Sequence, residues 1–413
     1  MQSESKAILL IGDGMADRPC PELDGKTPLE GARTPNMDKA AALGECGIMD
    51  VVLPGIRVGS DTGHLSILGY DAYRVYPGRG PFEAMGIGMD VQRGDVAFRC
   101  NFSTVDDNLV VLDRRAGRIT EGTQALARAI DGMQIEDVTI LFKESVAHRA
   151  ALVLRGPGLG AGVTDTDPHH EREKVWEARA HDPTDEASVK TARILNRFVR
   201  RSYEVLRDHP VNRERIAQGL KPANIALPRG AGMAPNLESF EEKHALKGAC
   251  IVEVGLIKGI GKYIGMDVID VEGSTGGLDS DVMAIGRAVI ASLKDHNFVL
   301  CNVKGPDVAG HDGNTQAKID IIERMDEMAG YLLENIGPQT YLAITADHST
   351  PVAVKDHSGD PVPILFYGPG VRTDDCTSFG ERPAAKGGLS RIRGMDIVPI
   401  LTNLLGVQEK FGA

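Results

Sequence analysis

Apolar runs of strand length recur along this chain, at residues 7–11, 249–254, 298–303, 341–345 and 364–367. Runs this short that do not alternate with polar residues predict strands buried on both faces. Between them, 281–294 and 315–334 have helical spacing. In the second of these, Ile322, Met325, Ala329, Leu332 and Leu333 fall on one face. Near the start, Thr34-Pro35 is expected to cap and open a helix that stops at Gly44. Strands alternating with helices imply a mostly parallel sheet flanked by helices on both sides.

The middle of the chain follows a different pattern. From about residue 77 to 237 it is richer in arginine and glycine, and 188–206 predicts a basic amphipathic helix. Ile194, Leu195, Phe198, Val199 and Leu206 give that helix an apolar stripe. Its basic side is read as a solvated face. This middle is expected to be an inserted second α/β domain at 76–235. The catalytic domain is then discontinuous, built from 1–75 and 236–413, with hinges expected near residues 76–80 and 229–235.

Composition narrows the function. The 413 residues, 42% hydrophobic and 25% charged, leave room for two or three ordinary globular domains. No run approaches the roughly 18 apolar residues of a membrane span, and 7–11 is too short for a signal-peptide core. A cytoplasmic protein with no membrane partner is therefore expected. The net charge of −12 argues against a nucleic-acid partner. A small anionic substrate remains compatible if metals or arginines make the site locally positive. The six cysteines are scattered without a CxxC pair, as expected of buried, reduced thiols.

Three of the predicted strands run into acidic groups. The 7–11 run leads to Asp13, 298–303 to Asp307, and 341–345 to the pair Asp347-His348. In parallel sheets, groups at the carboxyl ends of strands converge even when far apart in sequence. His311 follows Asp307 by one helical turn, and His357 stands in a loop beyond His348. Each of these alone reads equally well as a turn, a cap or a surface residue. Jointly, at three strand ends, they read as a metal site. Two bare carboxylates ~4 Å apart cost about 4 kcal/mol at an effective dielectric of 20, and divalent cations remove that cost. The mix of carboxylate and imidazole suits Zn or Mn better than Ca, and three of each suffices for two ions.

Ser60, in Gly59-Ser60-Asp61-Thr62-Gly63-His64, reads as a helix N-cap or, on a metal, as a nucleophile. His64 reads equally as a phosphate contact or as a buried structural histidine. Gly273-Ser-Thr-Gly-Gly277 lacks the Gly-Lys-Ser/Thr ending of a nucleotide loop and is read as a loop before a helix. Gly78-Arg-Gly80 is read as a hinge or turn.

Taken together, these motifs resemble the alkaline-phosphatase superfamily. They are Gly12-Asp-Gly-Met15, Ser60 before Gly63-His64, Lys304-Gly-Pro-Asp-Val-Ala-Gly-His311, Ala346-Asp-His-Ser-Thr-Pro351 and His357-Ser-Gly-Asp360. More narrowly they resemble the archaeal-type 2,3-bisphosphoglycerate-independent phosphoglycerate mutases. Thr27-Pro-Leu-Glu30, Gly78-Arg-Gly-Pro81 and Thr164-Asp-Thr-Asp-Pro168 extend the likeness over nearly the whole chain. The resemblance implies an alkaline-phosphatase-like sheet and two divalent ions (Mn, Co, Zn or Mg), one on Asp13, Ser60, Asp347 and His348, the other on Asp307, His311 and His357. It implies phosphoryl transfer through Ser60 from 3-phosphoglycerate to give 2-phosphoglycerate, with no 2,3-bisphosphoglycerate cofactor. Lys258 is a loosely matched phosphate contact. Longer bacterial relatives carry asparagine in place of Gly59 and different arginine motifs, so Arg115, Arg118, Arg149 and Arg229 are named as carboxylate candidates on guanidinium chemistry alone. A metal-dependent phosphomonoesterase, a mutase of another phosphorylated metabolite and a non-catalytic relative are the competing readings. The oligomeric state is not legible.

Overall fold

The Lys6–Gly12 strand has no side chain from Ala7 to Ile11 exposed to solvent, and its neighbours come from the far end of the chain. In this computed structural model, which describes residues 5–234, 237–408, 410 and 412, it pairs in parallel with Phe298–Val303 on one side and Thr340–Thr345 on the other. The full sheet runs Asp267–Val268, Gly248–Val252, Phe298–Val303, Lys6–Gly12, Thr340–Thr345, Val362–Tyr367, Glu45–Asp50, Ser390–Arg393. The first five strands are parallel. Val362–Tyr367 is antiparallel to both neighbours. Ile11 is in register with Asn302 and Thr345, so the three central strands end level and release their acidic residues at the same edge.

The run expected at 249–254 stops being strand at Val252, which leaves the Glu253 carboxylate free to accept from the Lys304 and Gly276 backbone N–H groups at 2.7 and 3.0 Å. The Gly273–Gly277 stretch is thus a loop tied down by Glu253. The helix expected at Thr34 begins at Pro35, but Thr34 does not cap it. The Asn36 and Met37 N–H groups donate instead to Asp326 Oδ1, at 3.0 and 2.7 Å. A buried carboxylate from the Thr315–Asn335 helix therefore replaces the local cap.

The chain divides into two compact units, Met1–Tyr76 with Leu237–Ala413, and Pro77–Asn236. The second unit is built on an antiparallel sheet ordered Val111–Asp113, Val96–Val105, Arg149–Arg155, Val138–Glu144, Gln134–Ile135, with Ile225–Met233 also on Val96–Val105. The Glu186–Leu206 helix buries the expected stripe, Ile194, Leu195, Phe198, Val199 and Leu206, in the core of this unit. Phe142 there meets Phe102 and Phe198 at ring-centroid distances of 5.6 and 5.9 Å. Gly78-Arg79-Gly80 opens the Arg79–Gly86 helix. Of the expected hinge near 229–235, Pro235 lies outside the described residues. No helix among the described residues is long and apolar enough to cross a membrane.

Candidate active site

Asp13, Asp307 and Asp347 all leave the central strands at one edge, and all three are buried. Two turns bring them together. Gly14 has φ +58, and a Cβ there would stand 2.5 Å from Thr350 Oγ1 and 2.7 Å from Asp307 Oδ1. A Cβ on Gly63 would stand 2.6 Å from the Asp347 carbonyl. Any larger residue at either position would force the ligand-bearing segments apart.

Two groups of side chains result, sharing His348. Asp13, Asp347 and His348 form one, and Asp307, His348 and His357 the other, with donor atoms within 4.8 Å of one another in each. His311 Nε2 lies 3.5 Å from Asp307 Oδ1, the same distance as His357 Nε2. Each of the three histidines is oriented through its Nδ1. His311 Nδ1 is 3.0 Å from the Lys355 carbonyl, His357 Nδ1 is 2.7 Å from the Val58 carbonyl, and His348 Nδ1 is 3.0 Å from Thr350 Oγ1. A proton on each Nδ1 leaves every Nε2 lone pair turned toward the carboxylates, the arrangement metal-binding imidazoles need. The His348 and His357 rings stack with centroids 3.7 Å apart.

The electrostatics also favour cations. Burial and the Asp347 charge push the Asp13 carboxyl above its ordinary range, and burial does the same to Asp347. Burial lowers His348 to about 3. Burial opposes ionisation of Asp307, but its bonds to His357 and Lys304 hold it well below the usual carboxylate range. For His357, burial is outweighed by Asp307, which lifts it above the ordinary imidazole value. Lys304 Nζ bridges Asp13 Oδ1 at 2.8 Å and Asp307 Oδ2 at 2.6 Å, so one ammonium spans two of the three carboxylates. Asp347 Oδ2 is buried without a hydrogen-bond partner, with His64 Nδ1 and His348 Nε2 each 3.4 Å away. An orphaned carboxylate oxygen costs too much to leave bare, and it fits a divalent ion.

Ser60 is the first residue of the Ser60–Ile67 helix, and Gly59 takes the cap position. Its hydroxyl is therefore free of capping and lies 3.1 Å from His348 Nε2. His64, one turn on, is fully buried. Its Nδ1 is 2.7 Å from the Ser60 carbonyl and its Nε2 is 3.2 Å from Asn302 Nδ2. Both ring nitrogens are thus engaged by the protein, and His64 braces the turn that carries Ser60. Lys258 pairs with Asp270 at 2.5 Å.

In the second unit, strand register assembles a cationic face. Arg99 opposes Arg229, and Asn101 opposes Arg149, so all four residues share one side of the sheet. Arg99 Nε is 3.0 Å from Glu83, and Arg229 Nε is 3.8 Å from Asp167, whose carboxylate Arg114 grips with both Nε and Nη2. Burial lowers the Arg99 pKa, and the charges of Arg79, Arg229 and Arg149 lower it further. Burial, with Arg149, Arg115 and Arg229 beside it, takes His148 down to about 4. Arg229 Nε and His148 Nδ1 are buried without hydrogen-bond partners. Like charges opposed across strands destabilise a sheet, so an anion bound at this face would relieve that cost. Arg115 and Arg118 are exposed at the Ala116–Arg118 turn.

Comparison with known proteins decides the family. A family model described as 2,3-bisphosphoglycerate-independent phosphoglycerate mutase matches residues 41–212. The 2,3-bisphosphoglycerate-independent phosphoglycerate mutase 1 of Methanothermobacter thermautotrophicus is 58% identical over 412 residues, 99% of this chain and 100% of that one. The chain belongs to the 2,3-bisphosphoglycerate-independent phosphoglycerate mutase family. A solved structure of a Pyrococcus horikoshii protein is similar to this mutase with a TM-score of 0.86 and 42% identity over 99% of each chain. The cofactor-independent phosphoglycerate mutase of Thermoplasma acidophilum matches with a TM-score of 0.77 and 39% identity, over 97% of this chain and 100% of that one. The family sets the mutase reading above that of a plain phosphomonoesterase.

Several residues of the mutase site carry weak sequence signals. Lys304 and Thr350 lie inside the Lys304–His311 and Ala346–Pro351 motifs, beside the candidate ligands, where only the ligand-type residues advertise chemistry. Asn302, whose amide donates to Asp13 Oδ2 at 3.1 Å, is a polar residue next to the end of an apolar strand, which is itself a signal in the sequence. Arg99 is concealed in the alternation of an ordinary strand. A further cluster, Cys46, Asp374 and Cys376, is a loop brace. The Asp374 oxygens accept from the Cys46, Cys376 and Gly388 backbone N–H groups.

Proposed function

We propose that this mutase interconverts 3-phosphoglycerate and 2-phosphoglycerate through a phosphoserine on Ser60, with two divalent ions in the carboxylate–histidine cluster. The observation that carries the reading is the uncapped Ser60 hydroxyl, 3.1 Å from His348 Nε2, beside the orphaned Asp347 Oδ2. Asp13, Ser60, Asp347 and His348 would hold one ion, and Asp307, His311 and His357 the other. Bound there, Mn, Co, Zn or Mg would supply positive charge for the phosphoryl oxygens and lower the pKa of the serine hydroxyl.

The chain's own groups then divide the work. Ser60 Oγ forms its bond to phosphorus as the bond to the C3 oxygen of 3-phosphoglycerate breaks. The serine gives up a proton, and the departing oxygen gains one. Glycerate stays bound, and its C2 oxygen then takes phosphorus back while Ser60 is reprotonated. The helix start at Ser60 offers backbone N–H groups to the phosphoryl group. Lys304, between Asp13 and Asp307, adds a cation where negative charge accumulates. The arginine face of Arg99, Arg149 and Arg229, with Arg115 nearby, is assigned to the glycerate carboxylate, for which the guanidinium fork is suited. Holding that carboxylate keeps glycerate in place and water away from the phosphoserine, which separates a mutase from a phosphatase.

Purified protein incubated with 3-phosphoglycerate should yield 2-phosphoglycerate with little free phosphate. Protein trapped during turnover should carry phosphate on the peptide containing Ser60, and added 2,3-bisphosphoglycerate should leave the rate unchanged. Phosphate found on a histidine, or a strict need for the bisphosphate, would overturn the reading.

A further inference from the structure

Lys318 is the only lysine among the largest fully buried side chains of the described residues, and nothing in the transfer chemistry uses it. It lies in the first turn of the Thr315–Asn335 helix. A buried ammonium is costly unless each of its three N–H groups finds a partner. Here they reach Asp17 Oδ2 at 2.8 Å, the Thr350 carbonyl at 2.9 Å and the Ala16 carbonyl at 3.2 Å. All three partners belong to the two loops that carry Asp13 and Asp347-His348.

The same two loops are joined by further bonds around these atoms. The Ala16 carbonyl also accepts from Ser349 Oγ at 2.9 Å and from the Thr350 N–H at 3.2 Å. The Asp17 carboxylate accepts the Val352 N–H at 3.1 Å. From Thr350 the chain of contacts enters the cluster itself. Its hydroxyl donates to Asp307 Oδ1 at 2.7 Å and meets His348 Nδ1 at 3.0 Å. Through Thr350, Lys318 therefore touches a carboxylate of one metal group and the histidine shared by both.

We propose that Lys318 is a positioning residue that fixes the spacing of the two ligand loops, and through Thr350 the orientation of Asp307 and His348, so that both ions bind tightly. The inference rests on the two-ion reading above. A charged residue confined to the core has an alternative role as a counterion for Asp17, and the two roles differ in what survives when the pair is neutralised together. Removing one partner of a buried pair is strongly destabilising, whereas replacing both with neutral groups of similar size is often tolerated.

The test uses full-length protein stripped with chelator and titrated with Mn²⁺ by calorimetry, alongside thermal unfolding without metal. The double variant Lys318→Met/Asp17→Asn should keep a melting temperature close to wild type in chelator and bind Mn²⁺ about 10- to 100-fold more weakly, the usual loss when a group orienting a ligand is removed. Thr350→Val, which leaves the Lys318–Asp17 pair intact, should lose affinity in the same range. Wild-type Mn²⁺ affinity in the double variant would overturn the proposal and leave Lys318 as a counterion. If the double variant does not fold, Thr350→Val decides alone, and undiminished affinity in it overturns the proposal. Failure of the two-ion reading is separately visible, as fewer than two Mn²⁺ per wild-type chain.

Discussion

At the ends of the central parallel strands the first unit buries three carboxylates beside one ammonium, whereas the antiparallel sheet of the second unit sets three arginines on one face beside Glu83 and Asp167. Both regions hold more charge of one sign than their own partners can neutralise. They differ in how that excess is held. The carboxylates are supported by Thr350, Asn302, Lys304 and three histidines held through Nδ1, with Asp347 Oδ2 left without a hydrogen bond. Of the arginines, Arg99 is tied to Glu83 and Arg229 lies 3.8 Å from Asp167, while Arg229 Nε and His148 Nδ1 make no hydrogen bond. A rigid, ion-ready cage suits bond making, and a half-satisfied cationic face suits a ligand that must be gripped and later released. The difference is the one expected of the proposed division of labour, with chemistry in one region and substrate retention in the other.

The largest expected effect lies at the nucleophile. Ser60→Ala should cost roughly 10⁴-fold or more in kcat with the fold retained by circular dichroism. Appreciable residual turnover would place the chemistry elsewhere. Next comes the cage. Chelation should abolish activity, and Mn, Co, Zn or Mg should restore at least part of it. Asp347→Asn, which blunts the orphaned oxygen, should reduce bound metal measured by atomic absorption together with the rate. Full turnover by stripped enzyme would break the contrast drawn here. A smaller loss is expected on the arginine face. Arg99→Met or Arg229→Met should each remove a charge-assisted bond worth about 1.5–3 kcal/mol, roughly 10- to 100-fold in kcat/KM. In these variants metal content should be unchanged, and a larger share of turnover should end as free phosphate. If they lose metal instead, the division between the regions is wrong.

The smallest effect concerns acid stability. Burial lowers His244, whose Nε2 donates to the Leu68 carbonyl at 2.9 Å, to about 4, from an ordinary 6.5. Its folded pKa lies below its unfolded one, so the unfolded chain binds more protons between these values. Its contribution to stability is therefore present above about pH 6.5 and lost as the pH falls toward 4. Thermal melts of His244→Gln should fall less steeply than wild type over that window. Equal slopes would show that His244 does not titrate with unfolding.

The cage was largely legible because parallel strands that end level deliver the residues following them to one edge. Asp13, Asp307, His311, Asp347, His348 and His357 could all be named from strand ends and short spacings. Thr350 and Lys318 could not, because their roles depend on which carbonyl or imidazole stands opposite them. The arginine face was only partly legible. Arg149 and Arg229 were named for their chemistry, but Arg99 joins them through the pairing of Val96–Val105 with Ile225–Met233 and Arg149–Arg155, and no local pattern encodes that register. Thr34 teaches the same lesson in the fold. A sound local cap signal was overridden by Asp326, a buried carboxylate from a distant helix.

The placement of Lys6–Gly12 between Phe298–Val303 and Thr340–Thr345 has a consequence for biosynthesis. This strand leaves the ribosome well before its native partners, the first of which is complete only about 290 residues later. At about 5–20 residues per second this is a wait of roughly 15–60 s. Throughout it the apolar segment has no edge to pair with, while residues 77–236 emerge with all six strands of their own sheet. The second unit is thus able to fold while the first is still being made. A nascent chain halted just after it should then display a protease-resistant middle attached to an unfolded, chaperone-binding leader.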